Sequence, residues 1–413
     1  MAMIRPETEM KDSGVKYIGL IPRTWKIVQL KYCTDCLDGK RIPIDASLRK
    51  SGIYPYWGAG KIMDYVDDYI FDERLVLLGE DGAPFFDDFR PVSHLIDGKV
   101  WVNNHIHVLR TKDNVVDSYL VHALNSVDYH EYINGSILNK LTQSNMNRIK
   151  IPLPSYREQQ AIADYLDETC SKIDEIIAEA KASIDEYKEL KQSVIFEAVT
   201  KGLDKNVEMK QCSVNWLDEI PSTWESIRLK YLLTEINNRS ETGTEQPLSV
   251  SQVMGVVPSY MIAVANPTAS YVGQKIVEPN DIVFNKLKAH LGVFFMSKYH
   301  GLVSPDYAVY RTNDKVIPKY LEYLFHTSAC ISEFKKYISG VAEGLMRLYT
   351  SDLFNIRICL PKVDEQIKIV EYVENKVELF DSLIAEKESL INDLEAYKKS
   401  LIYEVVTGKR RVV

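Results

Sequence analysis

The chain has 413 residues, 46% of them hydrophobic and 26% charged, which is enough for two domains that each bury a core. No apolar run reaches the roughly 20 residues of a membrane-spanning helix, the N-terminus has no signal-peptide stretch, and the six cysteines are scattered, so a cytoplasmic protein with reduced thiols is expected. The net charge of −8 speaks against nucleic acid only until it is divided along the chain: residues 1–150 sum to about −1 and 211–357 to about zero, whereas 151–210 and 358–413 hold about −5 and −2.

In chain order, Ile21-Pro22-Arg23-Thr24-Trp25 runs into Leu30-Lys31-Tyr32. Cys33-x-x-Cys36 is the only close cysteine pair and lacks the second pair a zinc site needs. Arg74–Leu78 is an apolar run of strand length, Val102–Arg110 alternates as a half-buried strand does, and Ser118–Tyr132 reads as a short helix. Ser155-x-x-Glu158 is a capping box that opens a helix from about Tyr156 to Thr200. In that helix Leu166, Cys170, Ile173, Ile177, Ala180, Ile184, Tyr187, Val194 and Ala198 follow the four-three spacing of a coiled-coil seam, broken by Lys191.

The order then repeats. Ile220-Pro221-Ser222-Thr223-Trp224 runs into Leu229-Lys230-Tyr231, Asp281–Phe284 and Val303–Arg311 read as strands, and Lys319–Ile338 reads as helical. The stretch Ile149–Pro154, Glu158-Gln159 and Val199-Thr200 returns as Ile356–Pro361, Glu365-Gln366 and Val406-Thr407 at a single offset without a gap. Val373, Val377, Phe380, Ile384, Ile391, Leu394, Leu401 and Val405 form a second seam, interrupted by Lys387 and Lys398, the latter matching Lys191. Lys362 stands at the Ser155 position, so the capping box is not shared. Repetition on this scale predicts two copies of one unit in a pseudo-twofold molecule. The expected fold is α+β: mixed α/β domains at 1–150 and 211–357, and helical regions at 151–210 and 358–413 whose seams pair as an antiparallel coiled coil. Packing of each helix onto its own domain is the other arrangement.

The doubled Ile-Pro-x-x-Trp and the doubled Ile-x-Leu-Pro, Glu-Gln, long helix and Glu-x-Val-Thr resemble the specificity subunit of Type I restriction-modification enzymes. The resemblance spans essentially the whole chain in the family's order of target recognition domain, central helices, second recognition domain and distal helices. Gly52–Gly58, Gly79–Gly82, Leu248–Ser251, Gly255–Pro258 and Asp281–Lys286 match family habits, as do Gly135 with Lys140-Leu141 and Gly340 with Arg347-Leu348. It implies a non-catalytic DNA-reading subunit that holds two modification subunits; the divergence of the two units at their polar positions predicts an asymmetric, bipartite target, with the helical pair fixing the gap between its halves. The modification subunits would methylate adenine with S-adenosylmethionine, and the restriction subunits, ATP-driven with Mg2+, would be recruited as well. A two-headed coiled-coil scaffold that binds proteins and not DNA is the alternative.

The residues themselves suit such a reader. Val102/Val303, Val108/Val309 and Arg110/Arg311 are kept, while Asn103-Asn104-His105 becomes Ser304-Pro305-Asp306, as expected of two readers on one frame. Base edges are read by directional donors and acceptors, and phosphates by Lys, Arg, Tyr and backbone N–H groups. In the first unit the candidate DNA contacts are Tyr54, Tyr56, Trp57 and Lys61, then Glu80, then Asn103, Asn104 and His105; Tyr56 and Trp57 also fit core aromatics beside a glycine turn, and Asp81 a plain turn. A metal site at His105-x-His107 is disfavoured for want of a carboxylate partner. In the second unit they are Ser249, Ser251 and Gln252, and the polar-basic run Asn285, Lys286, Lys288 and His290. Lys140 and Arg347 occupy matched positions as candidate phosphate clamps, or as helix-end salt bridges. Asn266-Pro267-Thr268-Ala269 is not an adenine-methyltransferase motif, and no phosphate loop or methyl-donor loop is present, so catalysis is expected on partner chains.

Overall fold

The computed structural model describes residues 3–87, 89–133, 139–262, 270–338 and 347–412. Gly135, Gly340 and the 266–269 stretch lie outside them. The architecture is α+β: two mixed domains with two long helices, Tyr156–Lys201 of 46 residues and Val363–Val406 of 44. At 1.5 Å per residue the first is about 69 Å long. The chain divides into two compact units, one formed by Met1–Ala182 with Lys387–Val413 and the other by Ser183–Glu386. Each unit therefore holds one globular domain, the beginning of the helix that leaves it and the end of the helix that returns.

In unit 1 the core sheet has Leu75–Gly79 antiparallel to Ile106–Thr111, with Ser93–Ile96 and Thr34–Cys36 outside them. Leu75–Gly79 is buried at every position, the signature of a strand covered on both faces. A second sheet pairs Ser51–Trp57 with Ile62–Val66 and, in parallel, with Lys99–Val102. The expected strand Val102–Arg110 is thus two strands in different sheets, separated by the turn at Asn103–His105. Unit 2 repeats the core: Ile282–Phe284 lies between Ala308–Thr312 and Phe294–Met296, and Leu233–Ile236 pairs with Ala308–Thr312. The helix expected over Lys319–Ile338 is two, Pro318–Phe325 and Ser328–Lys336, because the Thr327 hydroxyl caps the second by accepting from the Cys330 amide. Likewise Ser118–Tyr132 resolves into Asp117–Asn125 and a short 3-10 turn at Tyr129–Glu131.

The repeated motifs are joints between domain and helix. In unit 1 the Trp25 indole donates to Glu158 at 3.2 Å, while Glu158 also accepts from the Ser155 amide and hydroxyl in the capping box. Gly408, just past the end of the second long helix, packs on the same tryptophan: its φ is +73°, and a Cβ there would lie 2.5 Å from Pro22 and 2.9 Å from the indole. In unit 2 Trp224 donates to Glu365 at 3.1 Å, and Gly202, with φ +75°, closes over that pair. So in each unit one helix starts and the other ends at one tryptophan, which makes the two antiparallel there. Gln159 and Gln366 are buried beside these joints. Each accepts from one loop amide (Val116 or Ile317) and donates to two carbonyls (Asn114 and Pro154, or Lys315 and Pro361).

The seam positions are buried or half-buried along both helices. Its two matched lysines are partly shielded and make cross-helix ion pairs: Lys398 to Asp174 within unit 1 and Lys191 to Asp381 within unit 2, both at 2.6 Å. No helix among the described residues is long and apolar enough to cross a membrane.

Candidate nucleic-acid interface

In unit 1 the antiparallel register places Gly79 opposite Ile106. The turn leaving Leu75–Gly79 (Glu80, Asp81) and the turn entering Ile106–Thr111 (Asn103, Asn104, His105) therefore meet at one edge. The Glu80 amide donates to the His105 carbonyl at 3.0 Å, and the Leu141 amide to the Glu80 carbonyl at 2.7 Å, which brings Lys140 alongside. Asn103 is buried, with its side chain accepting from the His105 amide at 2.8 Å, so it shapes the turn. Asn104 and His105 are exposed; His105 pairs through Nδ1 with Asp81, and the Asn104 amide has no hydrogen-bond partner among the described residues.

The turn rests on a charged network that the sequence did not disclose. Arg41 donates to Glu80 at 2.5 Å and to the Ile106 carbonyl at 2.8 Å, and lies 3.4 Å from Asp38. Asp38 accepts from His107 Nδ1 at 2.6 Å and from the Val108 amide at 3.0 Å. Burial pushes the Asp38 carboxyl up, but His107, the Val108 amide and Arg41 outweigh it and hold it below its ordinary value of 3.8. His107 therefore does have carboxylate neighbours, contrary to the expectation: Asp38, Glu80 and His107 present ligand atoms within 4.8 Å of one another. Two features favour an ion-pair network there over a metal centre. Arg41 already pairs with both acids, and the second ring nitrogen of His107 faces the Leu141 carbonyl at 2.8 Å.

Lys140 lies 3.2 Å from Glu80 and 3.5 Å from Asp81, and the Glu80 carboxylate holds its ammonium above the usual lysine range. Its ammonium is thus already paired, and its partners are strand-edge acids instead of a helix end. Tyr56 is a core residue, 1% exposed, its hydroxyl accepting from the Ile44 amide at 3.1 Å; it cannot touch a duplex without unfolding the sheet. Trp57 is half-buried beside His94, with its carbonyl accepting from the Asn103 amide. Lys61 is exposed at the tip of the turn after it. Tyr54 sits at the surface against Tyr69, with the Lys99 ammonium 5.9 Å from its ring and 4.5 Å from that of Tyr69. Lys99 and Tyr69 complete an aromatic-basic patch of which the sequence pattern gave only Tyr54.

In unit 2 the Leu348 amide donates to the Lys286 carbonyl at 3.1 Å, the same bond that Leu141 makes to Glu80. Lys286 thus stands where Glu80 stands, and Arg347 where Lys140 does. The residue at this point changes sign: a carboxylate matched by cations in one unit is, in the other, a lysine 3.7 Å from Glu235, with Arg347 at the Lys140 position. Asn285 caps the 3-10 turn Lys286–Leu291 by accepting from the Leu287 amide, which presents Lys288 to solvent; His290 is half-buried with an unpartnered Nδ1. Ser251 accepts from the Val253 and Met254 amides and so builds a hairpin tip, while Ser249 bonds to Ser259. The Gln252 side chain points from that tip to the Leu291 carbonyl at 3.5 Å, so the serine-glutamine and basic clusters adjoin.

The profile of the Type I restriction modification DNA specificity domain matches this chain twice, over residues 22–186 and 221–395. The chain belongs to that family. Both matches begin within the Ile-Pro-x-x-Trp motif and run into the long helices, so each takes in one recognition domain of this specificity subunit with its joint. A Haemophilus influenzae chain described as a type I restriction enzyme specificity subunit is 24% identical over 87% of this subunit and 89% of its own length. A chain solved in work on complex assembly and conformational transition of the type I R-M system has a TM-score of 0.66 at 16% identity, covering 94% of this chain and 99% of that one. The HsdS subunit of Thermoanaerobacter tengcongensis gives 0.52 at 17%, with 96% and 99% covered. At these identities the structural likeness speaks for the fold.

Proposed function

We propose that this specificity subunit reads an asymmetric, bipartite DNA target, one half-site per unit, with the spacer set by the two long helices. The observation that carries this is the equivalent strand edge in each unit. Its backbone bond is the same, but its side chains differ in charge and hydrogen-bonding type: Glu80, Asn104 and His105 with Lys140 in one, Lys286, Lys288 and Gln252 with Arg347 in the other. Glu80 is buried with its carboxylate held by Arg41 and Lys140 and so sets the charge of its edge; Asn and Gln suit adenine, whereas lysine and arginine suit guanine or phosphate. Equal half-sites would require equal edges. The subunit would dock two modification subunits and the restriction subunits, with S-adenosylmethionine, ATP and Mg2+ bound by those partners.

The test is to co-express the chain with its cognate methyltransferase and map methylated adenines by long-read sequencing. One gapped motif with unlike halves is expected; a continuous or perfectly palindromic motif would refute the reading. Lengthening the paired helices by a heptad should alter the gap and leave the bases unchanged.

A further inference from the structure

Hairpin tips that face water ordinarily carry polar residues and glycine. Unit 2 departs from this. Its hairpin of Leu248–Ser251 and Gly255–Pro258 turns through Gln252, Val253 and Met254, and Val253 is 93% exposed. The turn itself needs no apolar residue. Gly255 takes the left-handed φ of +72° that closes a three-residue loop, and the Ser251 hydroxyl accepts from the Val253 and Met254 amides at 3.2 Å each. Polar side chains at 253 and 254 would serve the backbone equally well, so folding does not account for a valine at the apex.

The position of the tip ties it to the basic edge. Pro247 bridges Leu302 in parallel, and the Leu302 amide donates to the Gln246 carbonyl at 2.8 Å. Leu248–Ser251 therefore runs alongside Gly301–Val303 toward the Ser304–Asp306 turn. In that register Ser249 is level with Ser304, and Ser251 lies about 7 Å further on at ~3.4 Å per residue, so the tip overshoots the turn. Unit 1 has no such overshoot. There the Asn103 amide donates to the Trp57 carbonyl, and the chain reverses at once, with the Gly58 amide donating to Lys61. Cations gather at the base of the unit 2 finger. The Lys275 ammonium donates to the Tyr307 carbonyl beside the turn, and Lys275 and Lys286 share one carboxylate, Glu235, at 3.9 and 3.7 Å. Lys288 and Arg347 are exposed and make no ion pair among the described residues, and Asp306 is the acid of the adjoining turn.

We propose that Val253 is a specificity-determining residue, which reads the C5-methyl group of one thymine from the major groove. The inference rests on the DNA-reading function proposed above and names one of its contacts. A major groove roughly 12 Å wide admits a two-stranded β-ribbon, and the apolar group that a base edge offers there is the thymine methyl. A duplex meets both features of the finger at once: phosphates on the rims of the groove for Lys288 and Arg347, and a methyl group within it for the valine. Gln252, the preceding residue, suits the adenine of such a base pair. The glycine turn of unit 1, which reverses level with Asn103, has no apolar residue placed to do the same.

The experiment uses the specificity subunit assembled with its methyltransferase chain, after the methylated motif has been mapped. In duplexes carrying that motif each thymine, on either strand, is replaced singly by uracil, which removes the methyl group and keeps every hydrogen bond. The natural complex should lose affinity about threefold to tenfold at one thymine of one half-site, the effect of about one buried methyl group. Val253→Ala should bind the thymine and uracil duplexes alike at that position and keep every other preference. Its thermal unfolding should be unchanged, because the side chain lies in water. A natural complex that binds thymine and uracil alike throughout the motif overturns the proposal, as does a Val253→Ala chain that still discriminates. If that chain discriminates and instead loses its hold on the methyltransferase, the tip is a protein contact, and the proposal falls equally. A natural complex that yields no gapped motif refutes the parent reading, an outcome visible before any variant is made.

Discussion

Gln159 offers the sharpest test of how the repeated motif works. Its side chain is 1% exposed and makes three hydrogen bonds, accepting from the Val116 amide at 2.9 Å and donating to the Asn114 and Pro154 carbonyls at 3.1 and 3.0 Å. Gln159→Ala removes all three and strands a buried N–H, which alone costs about 1–3 kcal/mol; with roughly 1 kcal/mol for each lost bond to a carbonyl, the total is about 3–5 kcal/mol. Because the chain has two compact units, one global unfolding midpoint is a poor readout. Hydrogen exchange localises the effect: amides of unit 1 around Val116 should exchange ~100-fold faster or more, since 1.4 kcal/mol is tenfold, while unit 2 keeps its protection. Gln160→Ala is the control, because Gln160 is exposed and, among the described residues, its side chain bonds only Asp164 one turn on, worth a few tenths of a kcal/mol. If Gln159→Ala behaves like that control, the joint is not held by this glutamine and the account of the Glu-Gln motif fails.

Three further outcomes follow from particular contacts. Replacing Lys398 by Leu fills a break in the seam and leaves Asp174, which is mostly exposed, free to be solvated, so the melting temperature of unit 1 should rise; a drop would mean that the ion pair, worth ~0.2–1 kcal/mol at the surface, outweighs the seam. Asp38 titrates below its ordinary value of 3.8 in the folded chain, so its contribution is present above that value and is lost as pH falls through the lower folded one. Acid titration followed by near-UV circular dichroism should show Asp38→Asn flattening the loss of unit 1 structure below about pH 4. Asn104→Ala should change preference at one base pair, and Lys140→Ala should weaken all duplexes alike, seen in binding to a panel of single-substituted sites. Equal losses for both would remove the distinction between reading and clamping.

The helices were legible because their signals are local and doubled, whereas the doubled Ile-Pro-x-x-Trp and Glu-Gln motifs showed repetition but not that they meet. Four-three spacing, the Ser155 capping box and the single offset between copies leave little freedom in how the segments fold, and Lys191 and Lys398 marked themselves as breaks in the seam. The proposed reading edge was legible only in outline. Asn104 and His105 stand at it, but Tyr56 points into the core, because strand alternation sorts residues between two faces without saying which face is covered. Arg41 and Asp38, which hold the turn from beneath, lie far from it in sequence and meet it only through strand pairing. The same long-range pairing hid the equivalence of Glu80 and Lys286, which rests on matched backbone bonds and not on any shared residue.

The doubled tryptophan joint also bears on how such a chain changes over generations. A repeated part of what fastens a domain to its helices is specified by a few residues: the tryptophan, the glutamate, the buried glutamine and the closing glycine. The turns that differ between the units lie at the far end of the strands from those fastenings. A substitution at Asn104 or Lys288 therefore alters a surface without loosening the frame, and a whole domain exchanged between its flanking joints would arrive with its anchoring intact. On the proposed reading, new sequence preferences would arise one half at a time.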